Sequence, residues 1–285
     1  MFFAIMALID PGDEVIYPNP GFPIYESVID FLGGIPVPIV LREENNFEMD
    51  IEELRDIITP KTRMLIINSP GNPTGGVLSK ENLEAIAEMI RGKEIMVLTD
   101  EVYHRILYEG DHHSIASVPG MHEQTILLNG FSKTYAMTGW RLGYGVMRED
   151  LAQQVAKMMT NSNSCTCSFT QMAGVEALQG PQDEVSKMVA EFRRRRDVIV
   201  DGLNAIEGIS CKKPKGAFYV FPNVKEIGWD CKKLADYLLQ EVGVAVLSGL
   251  SFGKHGEGYL RLSYANSVEN IQEALQRIDQ GISTI

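Results

Sequence analysis

Three short aliphatic runs, each leading to a polar residue, constrain this chain more than any other feature. Residues 64–67 (Met-Leu-Ile-Ile) lead through a turn to Asn72, residues 95–98 (Ile-Met-Val-Leu) lead to Asp100, and residues 126–128 (Ile-Leu-Leu) lead to Lys133. Runs of three or four aliphatics are too short for a core helix, and they are apolar on every side, as a strand covered on both faces must be. Helical patterns separate them. Ile51, Leu54 and Ile58 keep a helical period before the first run, and Leu83, Ile86 and Ile90 keep one after Ser79, a residue suited to cap a helix. This alternation predicts an α/β fold built on a mostly parallel sheet. Ligands of such sheets bind beyond the carboxyl ends of the strands. If these strands share one sheet, an amide, a carboxylate and an amine meet in one crevice.

The other elements fit the same plan. Residues 14–17 and 35–41 read as strands and 25–32 as a helix, with a Pro/Gly-rich loop at 18–23 carrying Phe22. From about residue 190 the pattern changes. Phe192, Ile199, Leu203 and Ile206 mark a helix, residues 217–221, 244–247 and 259–264 read as short strands, and Ile271, Leu275, Ile278 and Ile282 mark a last helix. Strands gathered beside helices in this way predict a smaller α+β domain over 191–285, following a large domain over 1–190. The run Arg193-Arg194-Arg195-Arg196 lies among Glu191, Asp197 and Asp201, which reads as a solvated helix face.

Composition excludes several functions. With 26 basic against 38 acidic residues the formal charge is −12, which argues against nucleic acid and against an anionic membrane surface as partners. No apolar run reaches membrane-spanning length. Cys165, Cys167, Cys211 and Cys231 form neither a CxxC pair nor a zinc spacing, so reduced thiols of a cytoplasmic protein are expected. His112-His113 beside Asp111 lacks further suitably spaced ligands; a surface loop and no metal are expected there. Gly139, Gly143 and Gly145 do not form a dinucleotide fingerprint.

Taken singly, the strand-end residues have ordinary readings. Lys133 could be a solvated lysine on a strand–loop connection, Asp100 a helix cap, and Asn72-Pro73 a turn. Burial, however, penalises an ammonium and makes the amine a nucleophile toward carbonyls. With Tyr103 three residues after Asp100, and Arg141 eight after Lys133, the set offers an amine, a carboxylate, an amide, a phenol and a guanidinium.

At these residues the chain resembles the fold-type I, class I/II aminotransferases. The resemblance is carried by Asn68-Ser69-Pro70-Gly71-Asn72-Pro73-Thr74-Gly75, by Asp100-Glu101-Val102-Tyr103, and by Gly130-Phe131-Ser132-Lys133 with Thr138-Gly139-Trp140-Arg141-Leu142-Gly143. A fourth part is Gly258-Tyr259-Leu260-Arg261-Leu262-Ser263. It covers essentially the whole chain. It implies pyridoxal 5'-phosphate as cofactor, amino acid and 2-oxo acid substrates, ping-pong transfer, and a homodimer. By the resemblance, Lys133 forms the internal aldimine and moves the α-proton, and Asp100 pairs with the pyridine nitrogen. Asn72 and Tyr103 bond the ring's phenolate oxygen and Phe22 stacks on the ring. Arg141 holds the phosphate, with Ser132 or backbone amides compensating for Gly130, and Arg261 holds the substrate carboxylate through a fork that lysine cannot supply.

Two departures from the family pattern matter. Gly130 stands where many members carry a hydroxyl residue three positions before the lysine. The apolar start, Met1 to Ile9, reads as the end of a helix, so an N-terminal segment bearing a phosphate-binding turn is expected upstream. Two other functions stay open on the sequence: a pyridoxal-phosphate lyase or synthase of the same fold, and a non-catalytic fragment.

Overall fold

The computed structural model describes residues 1–285. In chain order the elements are α1 (Phe2–Met6), β1 (Glu14–Asn19), α2 (Ile24–Phe31), β2 (Ile35–Val40), α3 (Ile51–Ile57), β3 (Thr62–Asn68), α4 (Lys80–Ile90), β4 (Met96–Asp100), β5 (Thr125–Gly130) and β6 (Gly143–Val146). There follow α5 (Glu149–Asn163), α6 (Ser168–Gln179), α7 (Asp183–Asn204), β7 (Tyr219–Val220), α8 (Cys231–Gln240), β8 (Leu247–Ser248), β9 (Leu260–Ser263) and α9 (Val268–Ile282). The first six strands form one sheet in the order β2-β1-β3-β4-β5-β6, parallel except for β6.

The aliphatic runs explain the sheet's burial. Along β3, Leu65 and Ile67 enter a core shared with Leu83, Ile86 and Ile90 of α4, while Met64 and Ile66 enter another shared with Ile5, Tyr25 and Ile29 of α1 and α2. Alternate residues of one strand therefore feed opposite faces, and both faces are covered by helices. Two caps fall where short polar side chains precede the helices. Asp50 accepts the Glu52 and Glu53 N–H groups at the start of α3, and Ser79 accepts the Asn82 N–H at the start of α4.

The second sheet has only three short strands, in the order β7-β9-β8, all antiparallel. Its core gathers Phe192, Ile199 and Leu203 of α7, Leu234 and Leu238 of α8, and Ile271 and Ile278 of α9. Residue 190 falls inside α7, so one continuous helix runs through the point at which the pattern changes. The strands expected at 217–221 and 259–264 shrink to two and four residues, and in place of the one expected at 244–247 there is a two-residue strand, Leu247–Ser248.

Burial revises the reading of two polar residues. Arg196 is not on a solvated face: it is 2% exposed, its guanidinium donates to Glu109, Asp197 and the Pro214 carbonyl, and it lies over the Tyr108 ring. It lies one helical turn after the buried Phe192 and so shares its inward face, whereas Arg194 and Arg195 pair with Glu191 on the outside. His112 and His113 lie on an exposed loop as expected, but the His112 ring turns inward, with Nε2 2.8 Å from the buried Glu101 carboxylate. No cluster of three or more metal-ligating side chains is present.

Candidate active site

The carboxyl ends of β3, β4 and β5 are level. Asn68 pairs with Asp100 across β3 and β4, and Asp100 with Leu128 across β4 and β5. Asn68 ties this rim together, since its Nδ2 donates to the Asp100 carbonyl (3.0 Å) and its Oδ1 accepts the Asn72 N–H (2.8 Å). Asn72 is thereby turned inward over a cavity of about 370 Å³. Asp100, Tyr103, Ser132, Lys133, Arg141, Arg261 and Phe22 line the same cavity, so all eight residues singled out from the sequence converge.

Asp100 is buried. Tyr25 Oη donates to Oδ2 (2.9 Å) and the Val102 N–H to Oδ1 (3.3 Å), which favour the anion. Burial outweighs them and holds the carboxyl above its usual range. Phe22 meets the Tyr25 ring edge-on at 5.9 Å.

Lys133 lies just past the end of β5. Its Nζ stands 5.4 Å from the Phe218 ring centroid and 5.7 Å from that of Tyr103. Burial, then the positive charges of Arg261 and Arg141, push its amine below the usual lysine range; Asp100 opposes them. The free amine is therefore more populated than on a solvated lysine. Arg141 sits in the left-handed region (φ 54°) with its Nη1 on the Thr138 carbonyl (2.6 Å), and Thr138 Oγ1 donates to the Ser132 carbonyl. A Cβ at Gly130 would meet nothing nearer than 3.4 Å, so sterics do not exclude a hydroxyl residue there.

Arg261 enters from β9. Its guanidinium is sandwiched between the Tyr219 ring (4.4 Å) and the Phe252 ring (4.7 Å), and Nη1 donates to Asn72 Oδ1 (3.2 Å). Its Nε is buried without a partner. An orphaned donor in a cavity wall suits an incoming anion with two oxygens.

Sequence reasoning missed three contributors. Tyr219 lines the cavity and shares a hydrogen bond with Tyr103 (Oη–Oη 3.1 Å). Tyr25 holds Asp100; it was legible only as an apolar helix position. Glu101, within the quoted motif, accepts from Thr99, Ser114 and His112 directly behind the rim, and His112 was the signal that could have revealed it.

The family model for aminotransferase class I and II matches residues 1–278. The chain belongs to the class I and II aminotransferases. It is 42% identical over 279 residues to an aspartate aminotransferase of Pyrococcus abyssi, covering 97% of this chain and 72% of that one. It is 40% identical over 283 residues to aromatic-amino-acid aminotransferase 2 of Thermococcus litoralis, covering 98% and 72%. Among solved structures, an aromatic aminotransferase from Pyrococcus horikoshii superposes with a TM-score of 0.96 at 41% identity, over 99% of this chain and 76% of that one. The aminotransferase fold seen here is thus the fold-type I architecture, and the protein is a transaminase. No helix of this aminotransferase is long and apolar enough to cross a membrane.

Proposed function

We propose that this aminotransferase carries an amino group from an L-amino acid to a 2-oxo acid with pyridoxal 5'-phosphate bound in the cavity at the strand ends. The single observation that supports it is the convergence of Asn72, Asp100, Lys133, Arg141 and Arg261 on one cavity. The donor set fits the group: a softened amine, a buried carboxylate, a phenol and amide for a ring oxygen, and a guanidinium for phosphate. When bound, the cofactor supplies an aldehyde that condenses with amines and a ring that absorbs carbanion charge.

The chain's own residues do the rest. Lys133 Nζ, its amine pushed below the usual lysine range by burial, is the base that takes the substrate's α-proton and gives it back one atom along. Asp100, held by Tyr25 and Val102, would offer its carboxylate to the ring nitrogen. Tyr103 and Asn72 would donate to the ring oxygen, Arg141 and Ser132 would hold the phosphate, and Phe22 would lie against the ring. Arg261 offers its free Nε and second Nη to the substrate carboxylate. The division into units of 1–190 and 191–285 belongs to the same proposal, supported by the core around the second sheet, which draws all its buried residues but Tyr103, Ile106 and Tyr108 from 191–285. So does a homodimer, supported by the outward-facing Phe169 (70% exposed), Met172 (68%) and Leu178 (55%) of α6 and by Trp140 against Phe169.

A half-reaction tests the reading. Cofactor-loaded protein given an L-amino acid and no acceptor should release one equivalent of 2-oxo acid per chain and leave the cofactor in its amine form. Release of ammonia with the cofactor still an aldehyde would instead mark a lyase.

A further inference from the structure

Tyr219 is held more firmly than a wall residue requires. Two positions before it, Ala217 is fully buried with φ 60°, a conformation that costs an L-residue about 1 kcal/mol or more. Three hydrogen bonds impose it: the Ala217 N–H donates to the Ile106 carbonyl, and its own carbonyl accepts from Tyr108 Oη and from Tyr264 Oη. The Gly75 carbonyl, in the motif loop, accepts from the Lys215 and Gly216 N–H groups just upstream; a Cβ on Gly75 would lie 2.4 Å from Pro214. The two-residue strand β7 is thus fastened to the site loop, and it presents Tyr219 to two functional groups at once. Its hydroxyl meets Tyr103 Oη at 3.1 Å, and its ring carries the Arg261 guanidinium at 4.4 Å.

A phenol has one hydrogen and two acceptor sites, so only one of the two hydroxyls can donate across this contact. Neither oxygen has another protein partner. An acceptor in the cavity that takes the Tyr103 hydrogen leaves Tyr219 to supply the hydrogen between them, and chained hydrogen bonds polarise each other.

We propose that Tyr219 is a positioning residue: its hydroxyl donates to Tyr103, directing the Tyr103 hydrogen into the cavity, while its ring seats Arg261. The inference rests on the reading of the site given above and deepens it. One side chain then links the group that binds the substrate carboxylate to the group that sets the charge on the cofactor's ring oxygen.

The test is a pH titration of the visible absorbance of the cofactor-loaded protein, in four forms: wild type, Tyr219→Phe, Tyr103→Phe and the double variant. Tyr219→Phe keeps the buried ring and removes only the hydroxyl, so the fold is retained. The midpoint should rise by about half a pH unit, because the anionic ring oxygen loses support. In the Tyr103→Phe background the same substitution should shift nothing further. A midpoint that stays or falls, or an equal shift in both backgrounds, overturns the inference and leaves the reading of the site intact. A loaded protein with no lysine-dependent band overturns both.

Discussion

The two walls of the cavity are built by opposite means. One is the rim of the six-stranded sheet, where Asn72, Asp100 and Lys133 follow three adjacent parallel strands whose ends are in register. The other is β7 and β9, where Tyr219 and Arg261 ride on strands of two and four residues. The rim is positioned by continuous aliphatic burial on both faces. The second wall is positioned by specific polar contacts: the Ala217 hydrogen bonds, the Gly75 carbonyl, and the ring sandwich on Arg261. Burial spreads the task of placement over dozens of atoms, whereas the second wall concentrates it in a few groups. Substitutions in the rim should therefore change chemistry, and those in the second wall should change binding and alignment.

The largest effect should come from the rim. Asp100→Asn preserves shape and removes the charge. Its kcat should fall about 10²–10³-fold in steady-state assays, with the KM for the amino acid little changed. The same substitution should raise the Tm of cofactor-free protein at neutral pH. The reason is one of sign. Burial holds the Asp100 carboxyl above its unfolded value, so its contribution is present at low pH and is lost as pH rises through the window between the two. An uncharged Asn escapes that loss, and the gain in Tm should vanish in acid. A cofactor-free variant less stable than wild type at neutral pH would break the contrast.

Next in size is the second wall. Arg261→Lys keeps a positive charge and loses the fork, the seat between two rings and the bond to Asn72. The KM for the amino acid should rise about 10–100-fold with kcat changed far less. If kcat fell as steeply as for Asp100→Asn, the division of labour would be wrong.

Smallest for activity is the support behind the second wall. Arg196→Ala removes the donor to the Pro214 carbonyl and the cation over Tyr108. Chemical denaturation should show a loss of about 2–3 kcal/mol, with kcat within a few-fold of wild type.

The same contrast decides what could be read from the sequence. Continuous runs such as residues 64–67 announce a buried parallel strand by composition alone, and the residue at the strand's end follows from chain direction. Hence Asn72, Asp100 and Lys133 were legible, and so were α4 and its Ser79 cap. Tyr219 was not, because a phenol in a short alternating strand carries no periodic mark of its hydroxyl partner. Arg196 was misplaced, and the inward turn of the His112 ring was missed, for a related reason: a charged or polar residue reads as solvated until its partners, here Glu109 and Glu101 respectively, are known. Helix α6 escaped notice because its apolar side chains point outward, so no stripe faces this chain's own core.

Reduction of the cofactor-loaded protein with borohydride, followed by peptide mapping, tests the central claim most directly. The account predicts that the cofactor is fixed to Lys133 alone and that Lys133→Ala yields no labelled peptide. Label on any other lysine, or equal labelling of Lys133→Ala, would contradict it.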